Sequence, residues 1–260
     1  MKKILFTLAL LLSLGSTLCI EKAAAQDYII RNENDWLAFR NAVGQANGNR
    51  VDARLEADIS TGGGIGVYQN NPYCGTFDGN GHTITATNIW RDDSQPCALF
   101  CYVKDATIKN LHVKGAVTGG IHSAGLIGKV LGSSTVTVNR VWVSTEVDAS
   151  SATHAGGIIG HSDYARVYMN DCRFDGRVTT NNSSDSYAGD IIGWCNGAVG
   201  TYSVSMTKVA SQPNTCISVL ISMALVQQTG EPMVIALPLL ITTGILLIIT
   251  IRATNTRCLV

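Results

Sequence analysis

The sequence predicts a mostly β protein whose ordered part is a short parallel β-solenoid, and three observations predict it. The chain is glycine-rich and weakly charged, because 26 of its 260 residues are Gly and only 15% are charged. Apolar and polar residues alternate in short runs through its middle. Two different sequence elements recur there with a shared period of roughly 30 residues. Units of this size enclose a core only when they stack on one another.

A glycine-flanked apolar pair marks the first repeating element. Its copies are Ser123–Gly128, His154–Gly160 and Tyr187–Gly193, with a fainter copy at Ala98–Phe100. Aligned on their alanines, the clear copies are 31 and then 33 residues apart. The glycines suit tight corners in which a positive φ is needed. We therefore expect a structural role in the turns for Gly125, Gly128, Gly156, Gly157, Gly160, Gly189 and Gly193.

The second element is an alternating strand with the same period. Leu111–Val117 corresponds to Val141–Val147 and then to Cys172–Val178, at steps of 30 and 31 residues. Alternation with period 2 gives each strand one buried and one exposed face. The β-helix is predicted over residues 51–206, with clear repeat units near 98–130, 131–160 and 161–195.

Leu-Ile and Ile-Ile pairs between glycines, recurring about every 30 residues, resemble the GLUG-motif repeats of bacterial surface proteins. The segment Gly75–Ile84 is similar to the lead-in of that class, and the resemblance covers roughly residues 28–206. It implies a right-handed parallel β-helix, often from gut or mucosal bacteria and sometimes attached to adhesins or peptidases. It implies no activity for this segment. The chain departs from the pattern at Asp190, which interrupts the last glycine pair.

Residues 1–25 are predicted to be a signal peptide. Two lysines precede the apolar run Ile4–Leu14, and Ala23–Ala25 offers a small-residue cleavage site,. Export to the cell envelope or surface follows, and lipid attachment at Cys19 stays open as an alternative. Most later cysteines are expected to fill core positions as small apolar residues.

Residues 26–50 are predicted to form a strand and a capping helix. Asn34 is the expected N-cap of that helix,. Trp36, Phe39 and Val43 fall on one apolar stripe,. Such a stripe needs a surface to cover, and the open end of a solenoid exposes core and strand edges.

The composition changes after residue 206, where the repeat stops. We predict a linker at 207–232, a transmembrane helix at 233–251 and a short tail at 252–260. The 233–251 segment carries no charge and would span roughly 28 Å as a helix, close to the hydrocarbon thickness of a bilayer. A truncated or frameshifted gene stays open as an alternative, as does a buried core helix.

No motif indicates catalysis, so no catalytic residue and no cofactor is predicted. The chain lacks Gly-x-Ser-x-Gly, His-Glu-x-x-His and P-loop patterns,. Carboxylate candidates for a polysaccharide lyase- or hydrolase-like β-helix enzyme are Asp78 and the Asp92–Asp93 pair, with His82 and Arg91 nearby,. Each fits a polar turn or an exposed strand position better. The enzyme remains the alternative to a non-enzymatic surface protein.

Histidines and aromatic residues are the remaining candidates for contacts. His154 and His161 flank one corner and could share a metal, but no Cys or carboxylate repeats with them, so no metal site is predicted. Trp90, Trp142 and Trp194 are predicted ligand contacts that stack on a sugar or join a protein interface, with lateral stacking between coils as the alternative.

These features predict an exported envelope protein for adhesion, scaffolding or glycan contact. The expected partners are glycans or host and envelope proteins, with the membrane reached through the C-terminal helix. Basic residues are scattered and balanced, 19 against 19 acidic, which argues against nucleic acid.

Overall fold

The computed structural model of this protein describes residues 28–45, 50–92, 94–149, 152–180, 187–196 and 204–211. These ranges contain a single α-helix, α1 (Glu33–Gly44), and a series of short and long strands. The strands are β1 (Tyr28–Ile30), β2 (Ala53–Leu55), β3 (Ile59–Thr61), β4 (Thr76–Asp78), β5 (Thr83–Arg91), β6 (Phe100–Val103), β7 (Thr107–Gly119), β8 (His122–Ala124), β9 (Ile127–Val130), β10 (Thr135–Asp148), β11 (His154–Gly156), β12 (Ile159–Asp163), β13 (Arg166–Phe174), β14 (Arg177–Thr179), β15 (Tyr187–Gly189), β16 (Ile192–Asn196) and β17 (Val204–Ser211).

The strands stack into three parallel sheets that wind around one large hydrophobic core, with a small second cluster at Val147, Ala149, Ala152 and Ala155. The largest runs β1-β2-β4-β7-β10-β13-β17, with β3, β5 and β14 joining its sides. The second is β8-β11-β15 and the third is β6-β9-β12-β16. Each strand pairs with strands one coil before or after it, and the result is a solenoid of about four turns. A mostly β, parallel solenoid with one short helix is therefore confirmed, while its right hand stays a prediction.

The register of the long strands follows the predicted period, whereas at the corners only the second step does, where Ala155 pairs with Ala188 as predicted. Val141 pairs with Leu111, as predicted. At the corner, Ile159 pairs with Ile127 rather than with a residue chosen by aligning alanines. The reason is that the coils align the Leu-Ile pair of one corner with the Ile-Ile pair of the next. The Gly125 N–H accordingly donates to the Gly157 carbonyl at 3.0 Å. The first corner step is thus one residue longer than predicted.

Strands β7, β10, β13 and β17 each bend near one non-glycine residue in the left-handed conformation. Arg140 has a φ of +53° in the middle of β10. The bend shifts the alternation, so that Val138 before it and Val141 after it both face the core. The equivalent residues in the other coils are Asn80, Asn110, Asp171 and Lys208. Asn and Asp tolerate this conformation better than most residues, but Arg and Lys give no such sequence signal.

Helix α1 covers the first coils, as predicted, although its N-cap is wrong in the prediction. The Asn32 side chain accepts a hydrogen bond from the Asp35 N–H at 3.1 Å, so Asn32 rather than Asn34 is the N-cap. Trp36, Phe39 and Val43 are all fully buried. These three residues form the base of the hydrophobic cluster at the solenoid's N-terminal end.

Aromatic rings join the helix to the coils beneath it. The Trp36 ring meets Phe77 and Phe100 edge-on, with centroids 5.9 and 6.4 Å apart. Its indole N–H donates to the Gly63 carbonyl at 2.8 Å. Phe39 packs edge-on against Tyr73 at 5.7 Å. At the other end of the helix, Asn71 Nδ2 donates to the Gly44 carbonyl at 3.0 Å. The helix is therefore fixed by packing and by directional hydrogen bonds.

The cysteines of the coils fill core positions, as predicted. Cys74, Cys97, Cys101 and Cys172 are buried. Burial raises the pKa of the Cys97 thiol to about 12 and that of Cys172 to about 11. These groups stay protonated at neutral pH and behave as small apolar side chains.

The corner glycines supply space, and the expectation of positive φ at them is wrong. None of the seven predicted corner glycines has a positive φ. A Cβ on Gly160 would lie 2.7 Å from the Gly128 carbonyl oxygen, and one on Gly193 would lie 2.5 Å from that of Ala155. A Cβ on Gly156 or Gly157 would strike backbone oxygens more closely still. Neighbouring coils approach each other too closely here for any side chain.

The ends of the chain differ from the prediction or lie beyond the described residues. Strand β17 continues to Ser211, past the predicted end of the repeats at 206. Among the described residues, no helix has the length and apolar character needed to cross a bilayer. The predicted signal peptide (1–25), transmembrane helix (233–251) and tail (252–260) lie outside the described residues, as does the linker beyond 211.

Replacing Trp36 by Ala is expected to lower the free energy of unfolding by about 3–5 kcal/mol, because it empties the base of the core. Leu37 lies next to it on the exposed side of α1 and is 38% exposed, so Leu37→Ala should cost about 0.5 kcal/mol or less. Urea unfolding of both variants measures the difference. Equal losses would mean that the helix does not cap the coils.

Replacing Gly160 by Ala is expected to destabilise the fold by about 1–3 kcal/mol, because backbone of the adjacent coil must move aside. Gly44 is the matched control, since its Cβ would meet nothing within 4 Å. Gly44→Ala should stabilise the protein by up to about 1 kcal/mol through helix propensity. Thermal unfolding of the two variants checks the contrast, and a neutral Gly160→Ala would contradict the close approach.

Candidate functional site

Two of the three predicted contact tryptophans lie at the surface. Trp90 on β5 is 65% exposed and Trp142 on β10 is 43% exposed. Tyr68, which precedes β4, is 59% exposed and was not predicted as a contact. Exposure alone does not show that a ring can bind a ligand. A ring face is open to a ligand only where no neighbouring side chain packs on it.

Neighbouring coils cover the faces of Trp142. The His112 ring stacks on it at 4.0 Å and 9°. On the other side, the Arg173 guanidinium lies 5.4 Å from the indole centroid. Both are register partners of Trp142 in the adjacent strands. The lateral-stacking alternative therefore describes Trp142. Its contacts with His112 and Arg173 stabilise the sheet across neighbouring strands.

A groove of about 500 Å³ lies beside the Trp142 stack. Its polar lining comes from the bends of four successive coils and consists of Asn80, Asn110, His112, Arg140, Asp171 and Arg173. Hydrogen bonds tie these bends together, as where Arg140 Nε donates to Asn110 Oδ1 at 2.6 Å. Among the described residues that line the groove, Asp171 is the single carboxylate. Glycoside hydrolysis uses two, so this groove does not offer that pair.

The candidate acid and base groups occupy structural positions. Asp92 accepts hydrogen bonds from the backbone and the hydroxyl of Ser94, which makes it a turn residue. Asp78 accepts from Asn110 Nδ2 at 2.8 Å. His82 lies 3.2 Å from Asp58 at the surface. Arg91 donates to the Val67 carbonyl at 3.3 Å, and Asp93 lies outside the described residues.

Trp194 is not an exposed contact, contrary to the prediction. It is half-buried, and its indole N–H donates to Asn196 Oδ1. Its ring stacks on His154 at 5.3 Å and packs on Tyr187 at 4.3 Å. The lateral-stacking alternative therefore also describes Trp194, whose ring packs on residues of the adjacent corner strands β11 and β15.

Three histidines meet at this corner and are called the histidine cluster below: His122 on β8, His154 on β11 and His161 on β12. The Nδ1 atoms of His122 and His154 lie 3.0 Å apart. His161 Nδ1 lies 3.4 Å from His122 Nε2. One nitrogen from each ring lies within 4.8 Å of the other two. His122 and His161 are buried, and His154 is half-buried.

Burial keeps the histidine cluster uncharged at neutral pH. Desolvation lowers the pKa of His122 to about 3, that of His154 to about 4 and that of His161 to about 3. Charge on Lys129 acts in the same direction, partly offset by Asp163. Lys129 and Asp163 form an ion pair at 3.0 Å beside the cluster. Neutral imidazoles keep a lone pair free for a ligand.

A one-residue error of register hid this cluster from the sequence. The prediction of no metal site considered only His154 and His161 and overlooked His122. Aligning alanines placed Ser123 opposite His154, whereas the structure pairs His154 with His122. The usable signal was the recurrence of His at the start of two successive corner strands.

Comparisons with known proteins identify no family for this chain. No family model matches the chain, and the GLUG resemblance stays a prediction. Halomucin from Haloquadratum walsbyi (strain DSM 16790 / HBSQ001) is 29% identical over 169 residues, which is 60% of this chain and 2% of halomucin. The chain thus spans a small fraction of that relative. The crystal structure of a "putative immunoglobulin A1 protease" from Bacteroides ovatus has a TM-score of 0.43 and 17% identity, covering 76% of this chain and 81% of that one.

Acid is expected to destabilise the fold through the histidine cluster. Histidine in the unfolded chain has a pKa near 6.5. Between about pH 6.5 and 4 the unfolded chain therefore binds protons that the folded cluster does not bind. Stability should therefore fall as pH falls, by up to about 1.4 kcal/mol per pH unit for each histidine. Urea unfolding at several pH values above 4.5 measures the slope.

His154→Gln should flatten that slope by about one histidine's share. The control is Tyr187→Phe, which alters a neighbouring ring and keeps all three histidines. An unchanged slope in His154→Gln, or a slope flattened equally in the control, would contradict the assignment.

Proposed function

We propose that this chain is a non-enzymatic, exported surface or envelope β-helix protein that contacts glycans through Trp90. The exposed ring of Trp90 is the observation that carries the proposal. Among the described residues, Trp90 makes no ring contact, unlike Trp142 and Trp194. An indole face open to solvent can stack on the apolar face of a sugar ring.

A bulge in β5 presents Trp90 with polar neighbours. The register between β5 and β7 shifts between Ala86 and Ile89. Asn88 has a φ of +62° there, and both Thr87 and Asn88 are exposed. Bulges bend a strand and redirect its side chains, and the amide of Asn88 and the hydroxyl of Thr87 lie two and three residues before the indole. Sugars need this combination of apolar stacking and hydrogen bonding.

The strand that carries Trp90 is anchored to the loop that carries Tyr68. Arg91 Nη2 donates to the Val67 carbonyl at 3.3 Å. On the next coil, the Thr118 hydroxyl donates to Asn88 Oδ1 at 2.7 Å. A rigid support lowers the entropy cost of holding a ligand. Tyr68 is the second aromatic contact in this proposal.

Export in this proposal rests on the predicted signal peptide at residues 1–25 and on the resemblance to GLUG-motif surface proteins. The enzyme alternative gains no support from the groove, which offers Asp171 without a second carboxylate. A protein partner that uses the same aromatic surface remains an outcome of the test.

Trp90→Ala is expected to weaken glycan binding at least about tenfold, equivalent to about 1.4 kcal/mol. An oligosaccharide array identifies ligands of the wild-type chain, and titration calorimetry measures their affinity. Trp142→Ala is the matched control, because that indole is covered by His112 and Arg173. It should lower stability and leave affinity unchanged.

Two results would contradict the proposal. A wild-type chain that binds no glycan on the array would remove the ligand class. A Trp90→Ala variant with unchanged affinity would place the glycan on another surface, with the groove beside Trp142 as the next candidate.

A further inference from the structure

We propose that His122, His154 and His161 form a binding site for a divalent first-row transition metal ion, with Zn²⁺ as the reference ion. The ion would be held by three imidazole nitrogens supplied by two successive coils. This site is separate from the proposed glycan contact at Trp90, and the two proposals stand or fall independently.

The spacing of the nitrogens fits a single ion. Zn–N bonds of about 2.0–2.1 Å in tetrahedral geometry require nitrogens about 3.3 Å apart. The two shortest separations in the histidine cluster are 3.0 and 3.4 Å. His122 supplies a different nitrogen to each of these, and one nitrogen from each ring lies within 4.8 Å of the others. Any of these nitrogen pairs wider than 3.3 Å must therefore close for one donor from each histidine to reach the same ion, and rotation of the rings is the motion we expect to close it.

An orphaned nitrogen provides a second, independent observation. His161 Nε2 is buried and has no hydrogen-bond partner among the described residues. Buried polar atoms are almost always paired with protein, water or an ion. A coordinated metal would satisfy a lone pair that the surrounding protein leaves open.

The donor set selects the class of ion. All three donors are imidazole nitrogens, which suit Zn²⁺, Cu²⁺ and Ni²⁺, whereas Ca²⁺ and Mg²⁺ prefer oxygen. The adjacent charges on Lys129 and Asp163 are paired with each other at 3.0 Å. That pairing offsets the repulsion that Lys129 alone would exert on a cation.

The ion would act as a clip between coils. His122 belongs to one coil, while His154 and His161 belong to the next. The corner sheet that carries His122 and His154 consists of strands of only three residues. An ion bound to the folded state alone stabilises it by mass action. Three protein ligands also leave a coordination position for water or another small ligand.

Titration calorimetry of the full chain with Zn²⁺ is expected to show one ion per chain. Saturation at a hundredfold excess over Kd should raise the midpoint of thermal unfolding by about 5 °C or more. His154→Gln should weaken Zn²⁺ binding by about tenfold or more and remove the thermal shift. The double variant His82→Asn/His112→Gln is the control, because it leaves the cluster as the chain's only histidines. It should bind Zn²⁺ like the wild type.

Electron paramagnetic resonance of the wild-type chain with Cu²⁺ tests the ligands without depending on the folding of a variant. Three directly bound imidazole nitrogens are expected. Circular dichroism establishes that His154→Gln is folded before its affinity is compared. No Zn²⁺ binding by the wild type would overturn the proposal. So would binding unaffected by His154→Gln, binding lost in the double variant, or fewer than three bound nitrogens.

Discussion

Parallel hydrogen bonding between successive coils is the constraint on which the rest of this structure depends. Each strand pairs in register with the strands one coil away, so residues about 30 positions apart lie side by side. Equivalent core residues of successive coils therefore form a column of buried side chains, such as Leu111 beside Val141. A surface position becomes a column too, and His112, Trp142 and Arg173 stack for this reason. Packing and surface chemistry both follow from the period.

The same constraint leaves an open end that the sequence must cover. No further strand precedes β1 among the described residues, and the rings of Phe77 and Phe100 pack against the helix at this end. Helix α1 solves this with a compact aromatic stripe rather than with hydrogen bonds to strand edges. Trp36 contacts both rings and also donates to the Gly63 carbonyl. Capping is thus mainly hydrophobic, which suits an element that cannot continue the sheets.

The sequence predicted those features that depend on periodicity and missed those that depend on single residues. Alternation and repeat length predicted the solenoid, and the stripe at Trp36 predicted the cap. Periodicity cannot show that the corner glycines are needed because no Cβ fits there. The close approach of Gly160 to Gly128 exists only in the folded coil. Nor can it reveal bends at Arg140 or Lys208, since these residue types carry no turn signal. The histidine cluster was missed because a single inserted residue changed which side chains lie opposite each other.

The histidine cluster also shows what a stacked column can and cannot build. Neighbouring strands lie about 4.8 Å apart, and the His122 and His154 rings repeat that spacing with centroids 4.8 Å apart and an angle of 15°. Two nearly parallel rings direct their nitrogens alike and cannot surround an ion. His161 comes from the sheet across the corner and meets His122 at 63°. A convergent site on a solenoid therefore requires a corner, where two columns face each other. The glycines that let neighbouring coils approach closely at this corner are part of what builds the site.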